Sequence, residues 1–547
     1  MADLADMVAG ALRSEEMHEH LVEFARRVKL SGTPEEAESF AYLQRRMEGY
    51  GFRTTLLHHP AFISLPGPAR LLVGGREISC ITHSMSQSTP ADGLTAEIVD
   101  VGDAAEAQFR DRDLRGKIIL ADGIASPAVA MRAARAGVVG SIHVSPNEHL
   151  YEMCISPVWG SPSRETVGNM AATTAVTISN ADGAALRARL APLLTATIHA
   201  RVDTGWRDTP ILVCDMDAPG AAADTPFLLF SGHHDTWHYG VMDNGAANAT
   251  MMETARACAE HRESWKRSLR VCFWSGHSHG RYSGSSWYAD EHWAELEARC
   301  VAHVNVDSTG GRDAVDVTQT GSATELWTLA AEAISIHAGQ DYKGKRSGRS
   351  GDQSFWGIGV PAMFGTLSGQ PASAGGMRNA LGWWWHTPHD TIDKVDPEKL
   401  MRDTRIVAHA VCRLLTDLHL PLDYSRHAAA LRAELEAIAA RLGTRFDLSG
   451  LIEAARNLER RAAGGDSPDA TLMRVSRALV PMDYTSGDRF VHDSALPHQA
   501  WPVLQPLRDL AASTPGTEEA QLRTVSARRA RNRMAHAISQ ALGALGA

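Results

Sequence analysis

Between residues 226 and 366 four short apolar segments, "PFLLFSG", "LRVCFWSG", "CVAHVNVD" and "VPAMFG", each run into a turn rich in glycine or polar residues. Residues 245–260, between the first two, place Ala247, Met251, Ala255 and Cys258 on one helical face. A strand that is apolar at every position has no face to offer water, so helices must cover both sides of its sheet. Such strands alternating with helices predict an α/β fold built on a doubly wound, mainly parallel sheet, mixed where other strands join it. Ligands of such sheets gather beyond the carboxyl ends of the strands.

The flanking regions read differently. Residues 15–50 carry two helical stripes: Leu21, Phe24 and Val28, then Ala41, Leu43 and Met47. The break "LSGTPEE" offers Ser31 and Thr33 as caps and puts Glu35 and Glu36 in a first turn. From about 90 to 205, "GKIILAD", "AVAMRAARAGVVGSIHVS" and "AVTISNADGAALRARL" repeat strand and helix, the texture of an inserted α/β module. After about 420 the chain turns to Ala/Leu/Arg-rich helices such as "HAAALRAELEAIAARL". The expected domains are therefore 1–89 with 206–419, the insert 90–205, and a helical tail 420–547. More than one domain suits a chain of 547 residues.

A net charge of −10 argues against general binding to nucleic acid or anionic membrane. The basic run "RTVSARRARNR" near the end reads as a solvated or interface face of the last helix. Seven scattered cysteines without a CxxC pair fit reduced thiols. The first twenty residues have acids where a signal peptide has a basic region, and no apolar run approaches ~20 residues. A cytoplasmic protein with no nucleic-acid or membrane partner is expected.

Polar residues cluster where the sheet should open. After "PFLLFSG" comes "HHDTWHYGVMDNGA", with His233, Asp235 and Asp243; after "CVAHVNV" comes Asp307; and "WWWHTPHDT" supplies His386. Imidazole and carboxylate together are ligands for a borderline divalent ion such as zinc, and a carboxylate can bridge two ions. The His-x-Asp spacing suits a ligand, His233, whose other nitrogen is held by Asp235.

"GHHDTWHYGVMDNGAANATMMETAR", "VNVDS" and "HTPHDTIDKVDP" together resemble the aminopeptidase/transferrin-receptor family of dinuclear zinc peptidases, the family of glutamate carboxypeptidase II. The resemblance extends to the opening helices, makes 90–205 a protease-associated domain, and makes the tail around "ALVPMDYTSGDRFVHDSALPHQAW" a helical dimerisation domain. It implies a homodimer. It also implies that His233 and Asp307 hold one metal, that Asp243 bridges, and that His386 holds the second. One or two zinc ions, or another transition metal, would be the cofactor.

The pattern breaks at "FWSGHSHGRYSGSS". Where the family carries Glu-Glu, a general base followed by a metal ligand, this chain offers His277, Ser278 and His279. One register places His277 and Ser278 there, another Ser278 and His279. In an extended segment His277 and His279 would face the site together, one as ligand and the other near the bound water, with Ser278 turned away. A histidine in place of Glu could carry the proton near neutral pH. The loop "KGKRSGRSGDQSFWG" adds Lys343, Lys345, Arg346 and Arg349, which would capture a substrate carboxylate, and Asp352, which could orient a ligand or the water.

The expected function is a metal-dependent hydrolase of amide or peptide bonds in a small anionic substrate or short peptide. Metal-activated water attacks the amide carbon, and histidine replaces the usual Glu. Two alternatives stand beside it: a metal-dependent deaminase or C–N/C–S lyase acting on a small molecule, and an inactive peptidase-like binding protein.

Overall fold

The computed structural model describes residues 4–371, 381–464 and 467–546. Strand Phe227–His233 is buried at every position and pairs in parallel with Ser268–Trp274 on one side and Cys300–Asp307 on the other. Ala362–Thr366 extends the parallel set beyond Cys300–Asp307. On the opposite flank Ser268–Trp274 pairs antiparallel with Thr195–Met216, so the sheet is mixed.

Residue parity explains why this strand is apolar throughout. Leu228 and Phe230 face a large core shared with the helices Ala247–Ala259, Trp327–Ala338 and Pro397–Thr416. Phe227 and Leu229 face a smaller core closed by Tyr288 and Leu296 from the helices Ser283–Glu291 and Trp293–Arg299. Alternate side chains thus serve two layers, as the strand period of two requires.

Two long strands link this body to the insert. Arg53–Val73 and Thr195–Met216 pair antiparallel from Arg53↔Asp215 to Val73↔Ala196, with one irregularity between Pro66 and Ala69. Their far ends meet Leu94–Asp100, Ile118–Asp122, Gly140–Val144 and Thr174–Ile178, where Ile118, Ile142, Val176 and Ile198 form a separate core. The boundary expected at 205/206 falls inside Thr195–Met216, so the ribbon crosses it unbroken.

The tail is helical, with helices Tyr424–Leu442, Ser449–Ala462, Asp469–Tyr484, Gln505–Ala512 and Glu518–Ala544. Its Leu431, Leu435, Val475, Leu479 and Met534 belong to the same apolar core as the helices of the sheet. Arg477 ties the two together by donating to the carbonyls of Gly359 (2.7 Å) and Cys300 (2.6 Å). In the tail Phe490, Val491, Leu522 and Val525 remain exposed. No disulfide joins any of the seven cysteines. Among the described residues, no helix is long and apolar enough to cross a membrane.

Candidate metal centre

Three neighbouring parallel strands end side by side and release the site residues. His233 is the last residue of Phe227–His233 and Asp307 the last of Cys300–Asp307; Ser268–Trp274 leads into the turn that carries His277. Asp243 lies in the irregular turn Val241–Ala246, which opens the helix Ala247–Ala259. The backbone N–H groups of Met242 and Asp243 donate to the Asp390 carboxylate at 2.9 and 3.0 Å, which fixes where Asp243 points.

Asp243 stands between two imidazoles. Its Oδ1 is 3.2 Å from His233 Nε2 and its Oδ2 is 3.3 Å from His386 Nε2, while Asp307 Oδ1 lies 3.8 Å from His233 Nε2. The second nitrogen of each ring is committed. His233 Nδ1–H donates to the Asp235 carbonyl (2.8 Å), and His386 Nδ1–H donates to the Glu152 carbonyl (2.6 Å) of the insert. Carbonyls only accept, so both neutral rings turn an Nε2 lone pair toward a carboxylate. His233 Nε2 and Asp243 Oδ1 are buried and lack a hydrogen-bond partner. Lone pair against carboxylate is repulsive unless a cation lies between them, a proton or a metal ion. Burial lowers the pKa of His233, but Asp243 and Asp307 outweigh it and hold the group well above its ordinary value. Asp243 is held far below its own despite burial. The four residues fit a divalent ion: two imidazoles and two carboxylates, each imidazole braced from behind.

His277 is positioned differently. Its Nδ1–H donates to Asp352 Oδ2 at 2.8 Å, and its ring stacks on His233 with centroids 3.7 Å apart and planes 12° apart. One ion cannot lie in the planes of two rings stacked this way, although the nitrogens are close. The stacking favours His277 beside an ion held by His233, although one ligand-type atom each of His233, His277 and Asp307 lie within 4.8 Å of one another. His277 presents a free Nε2 lone pair beside the cluster. Asp352 is fully buried, yet His277 holds its carboxyl below the ordinary value.

The turn corrects the expectation of an extended segment. Gly276, Arg281 and Tyr282 have φ of 76°, 51° and 70°, so residues 276–282 coil and the alternation of faces fails. Ser278 lines the cavity rather than turning away. His279 faces inward: its Nδ1 is 3.1 Å from Ser31 Oγ, and its ring packs on Trp237 at 4.4 Å. Burial lowers its pKa to about 3, and its Nε2 has no hydrogen-bond partner. Asp235 also differs from expectation. Its carbonyl, not its carboxylate (3.9 Å), holds His233, while the carboxylate accepts from the N–H groups of His277 (3.1 Å) and Ser278 (2.9 Å) and from Ser31 Oγ (2.7 Å). It anchors the turn.

The arginines expected to meet substrate are spent on the tail. Arg346 donates to the Asp483 carboxylate (2.8 Å) and lies over Tyr484; Arg349 donates to the carbonyls of Ser494 (2.8 Å) and Asp493 (2.9 Å) and lies over Trp159. Neither lines the cavity, and of Lys345 only the backbone is described. The cavity, about 280 Å³, is bounded by Asp243, Asp307, His386, His277, Ser278 and Arg281. Arg281 was not foreseen. Its guanidinium lies over the Tyr282 ring, its Nε is buried without a partner, and its one described side-chain hydrogen bond, to the Ala495 carbonyl, is long at 3.5 Å. Its place in "HSHGRYSG" was the available signal. Asp390 and Glu152 were also missed; burial raises the pKa of each to about 7.

Residues 215–411 match the model of peptidase family M28. The four clustered residues lie inside this range. The chain is 23% identical over 343 residues to a probable glutamate carboxypeptidase, VP8, of Zea mays, a match covering 51% of this chain and 48% of that protein. It is 24% identical over 347 residues to aminopeptidase YwaD of Bacillus subtilis, covering 62% and 70%. The chain thus spans about half the length of the maize relative. Among solved structures, the aminopeptidase from Aneurinibacillus sp. strain AM-1 superposes with a TM-score of 0.58 at 22% identity, covering 75% of this chain and 96% of that one. This likeness shows a shared fold.

Proposed function

We propose that the protein is a metal-dependent hydrolase that cleaves an amide or peptide bond in a small anionic substrate, with zinc as the preferred ion. One observation carries the reading: Asp243 sits between two buried imidazoles whose lone pairs both face it. The M28 match over the same residues supports it. A divalent ion held by His233, Asp243, Asp307 and His386 would supply Lewis acidity, polarising the scissile carbonyl and acidifying water.

The chain's own residues do the rest. His277 takes the proton of the attacking water at Nε2 while its Nδ1–H stays on Asp352, which fixes the tautomer and steadies the imidazolium. As the C–N bond breaks, the same nitrogen returns that proton to the departing amine. In this reading His277, Ser278 and His279 stand where relatives have Glu-Glu, with His277 as proton carrier. Arg281 at the cavity wall meets the substrate's anionic group.

The test pairs His277→Ala and Asp352→Asn with His279→Ala, each assayed for bound metal and turnover on a dipeptide library. The first two are expected to keep metal and lose roughly 10²–10⁴-fold in turnover. His279→Ala is expected to keep both. Full turnover in His277→Ala would overturn the assignment.

A further inference from the structure

Far from the cavity, the helices Leu4–Gly10, Trp327–Ala338 and Pro397–Thr416 bring Asp6, His337 and His409 together. One ligand-type atom from each lies within 4.8 Å of the other two. His337 Nε2 is 3.1 Å from His409 Nδ1. His409 is completely buried, and its Nε2–H donates to Glu332 Oε1 at 3.2 Å. Glu332 also accepts from the Arg413 guanidinium. That pins the His409 proton on Nε2 and leaves the Nδ1 lone pair aimed at His337. Burial and the neighbouring His409 hold His337 neutral, its pKa lowered to about 4.

We propose that Asp6, His337 and His409 form a structural divalent-cation site, suited to zinc, that clamps the first helix to the two helices beneath it. Two imidazoles and a carboxylate are a zinc donor set, and the exposed side of Asp6 leaves room for a water to complete a tetrahedron. At Zn–N distances near 2.0–2.1 Å, tetrahedral ligands lie about 3.4 Å apart, close to the observed nitrogen spacing. The rings are inclined at 68°, so their planes intersect and one ion can lie in both, unlike the stacked rings of His233 and His277. Glu332 braces His409 from behind, as a carboxylate commonly orients a ligating imidazole. The clamp also has work to do. The seven-residue helix Leu4–Gly10 is too short to persist alone and reaches the core through Ala5 and Val8.

The experiment uses the full-length protein, stripped by chelator and dialysed against Zn²⁺ alone, as wild type, His337→Ala and Asp6→Asn. Wild type is expected to hold one zinc more than His337→Ala, with Asp6→Asn holding that zinc at least tenfold more weakly. Zinc should raise the melting temperature of wild type by several degrees and slow amide exchange in residues 4–10, with both effects lost in His337→Ala. His409 is left intact because its burial makes its replacement a folding test. His337→Cys, which keeps a zinc donor, should restore the zinc count and the exchange protection. Equal zinc in wild type and His337→Ala would overturn the proposal and leave a hydrogen-bonded histidine pair. So would exchange in residues 4–10 that ignores zinc.

Discussion

The central cluster hangs from the carboxyl ends of adjacent parallel strands, whereas Asp6, His337 and His409 come from the surfaces of three helices. Strand ends are fixed by ladders on both sides, so His233 and Asp307 have little freedom to move apart. The helical trio depends on packing and on one exposed carboxylate. Charge differs as well. The buried Asp243 and the partly exposed Asp307 press on His233 and hold its pKa high, while burial and a neighbouring ring push His337 down to about 4. A site built for chemistry keeps a rigid frame and unbalanced charge; a site built for stability needs only converging lone pairs.

The largest break in that comparison should come from Asp243→Ala. Removing the carboxylate shared by both imidazoles is expected to cost turnover beyond the ~10²–10⁴-fold that loss of a proton carrier alone brings, with the fold intact by circular dichroism. Near-normal turnover would make the central cluster an ordinary buried network.

A smaller effect is expected at the cavity wall. Arg281→Ala should raise KM for acidic substrates roughly tenfold and leave kcat and neutral substrates little changed, as for a binding contact made equally in ground and transition states. Equal KM changes for acidic and neutral substrates would remove Arg281 from substrate recognition.

A separate effect, on stability and not on turnover, concerns buried imidazoles outside both clusters. Burial lowers the pKa of His83 in the insert and His303 in the sheet to about 3 each. A folded pKa below the unfolded 6.5 means that their contribution is fully present above about 6.5 and fades as pH falls toward 3. At pH 5 each histidine should already have cost about 2 kcal/mol relative to pH 7. The urea midpoint should therefore drop from pH 7 to pH 5, and His303→Asn should flatten that drop. Asp390, raised to about 7, acts in the opposite sense, favouring the fold at low pH and losing that contribution as pH rises. A midpoint that is flat or rises over this range would contradict the assignment.

Much of the centre was legible because it obeys local rules. His233, Asp243, Asp307 and His386 each follow an apolar run or turn signal, and sheet topology brings strand ends together. The turn at 276–282 was not legible. Its left-handed residues Arg281 and Tyr282 follow no local propensity, and they defeat the alternation that placed His277 and His279 on one side. Arg346 and Arg349 failed for another reason. Their partners Asp483, Asp493 and Ser494 lie more than a hundred residues away, in a tail that shares the core of the sheet instead of standing apart. The same distance hid Glu152, whose carbonyl reaches from the insert to orient His386.

The central claim is that a cation belongs between the imidazoles that flank Asp243. The most direct measurement is elemental analysis of protein carrying His337→Ala, which silences the peripheral trio, with and without Asp243→Ala. Stoichiometric divalent metal is expected in the first and its loss in the second. Metal content unchanged by Asp243→Ala, or none in either protein after exposure to zinc, would contradict it.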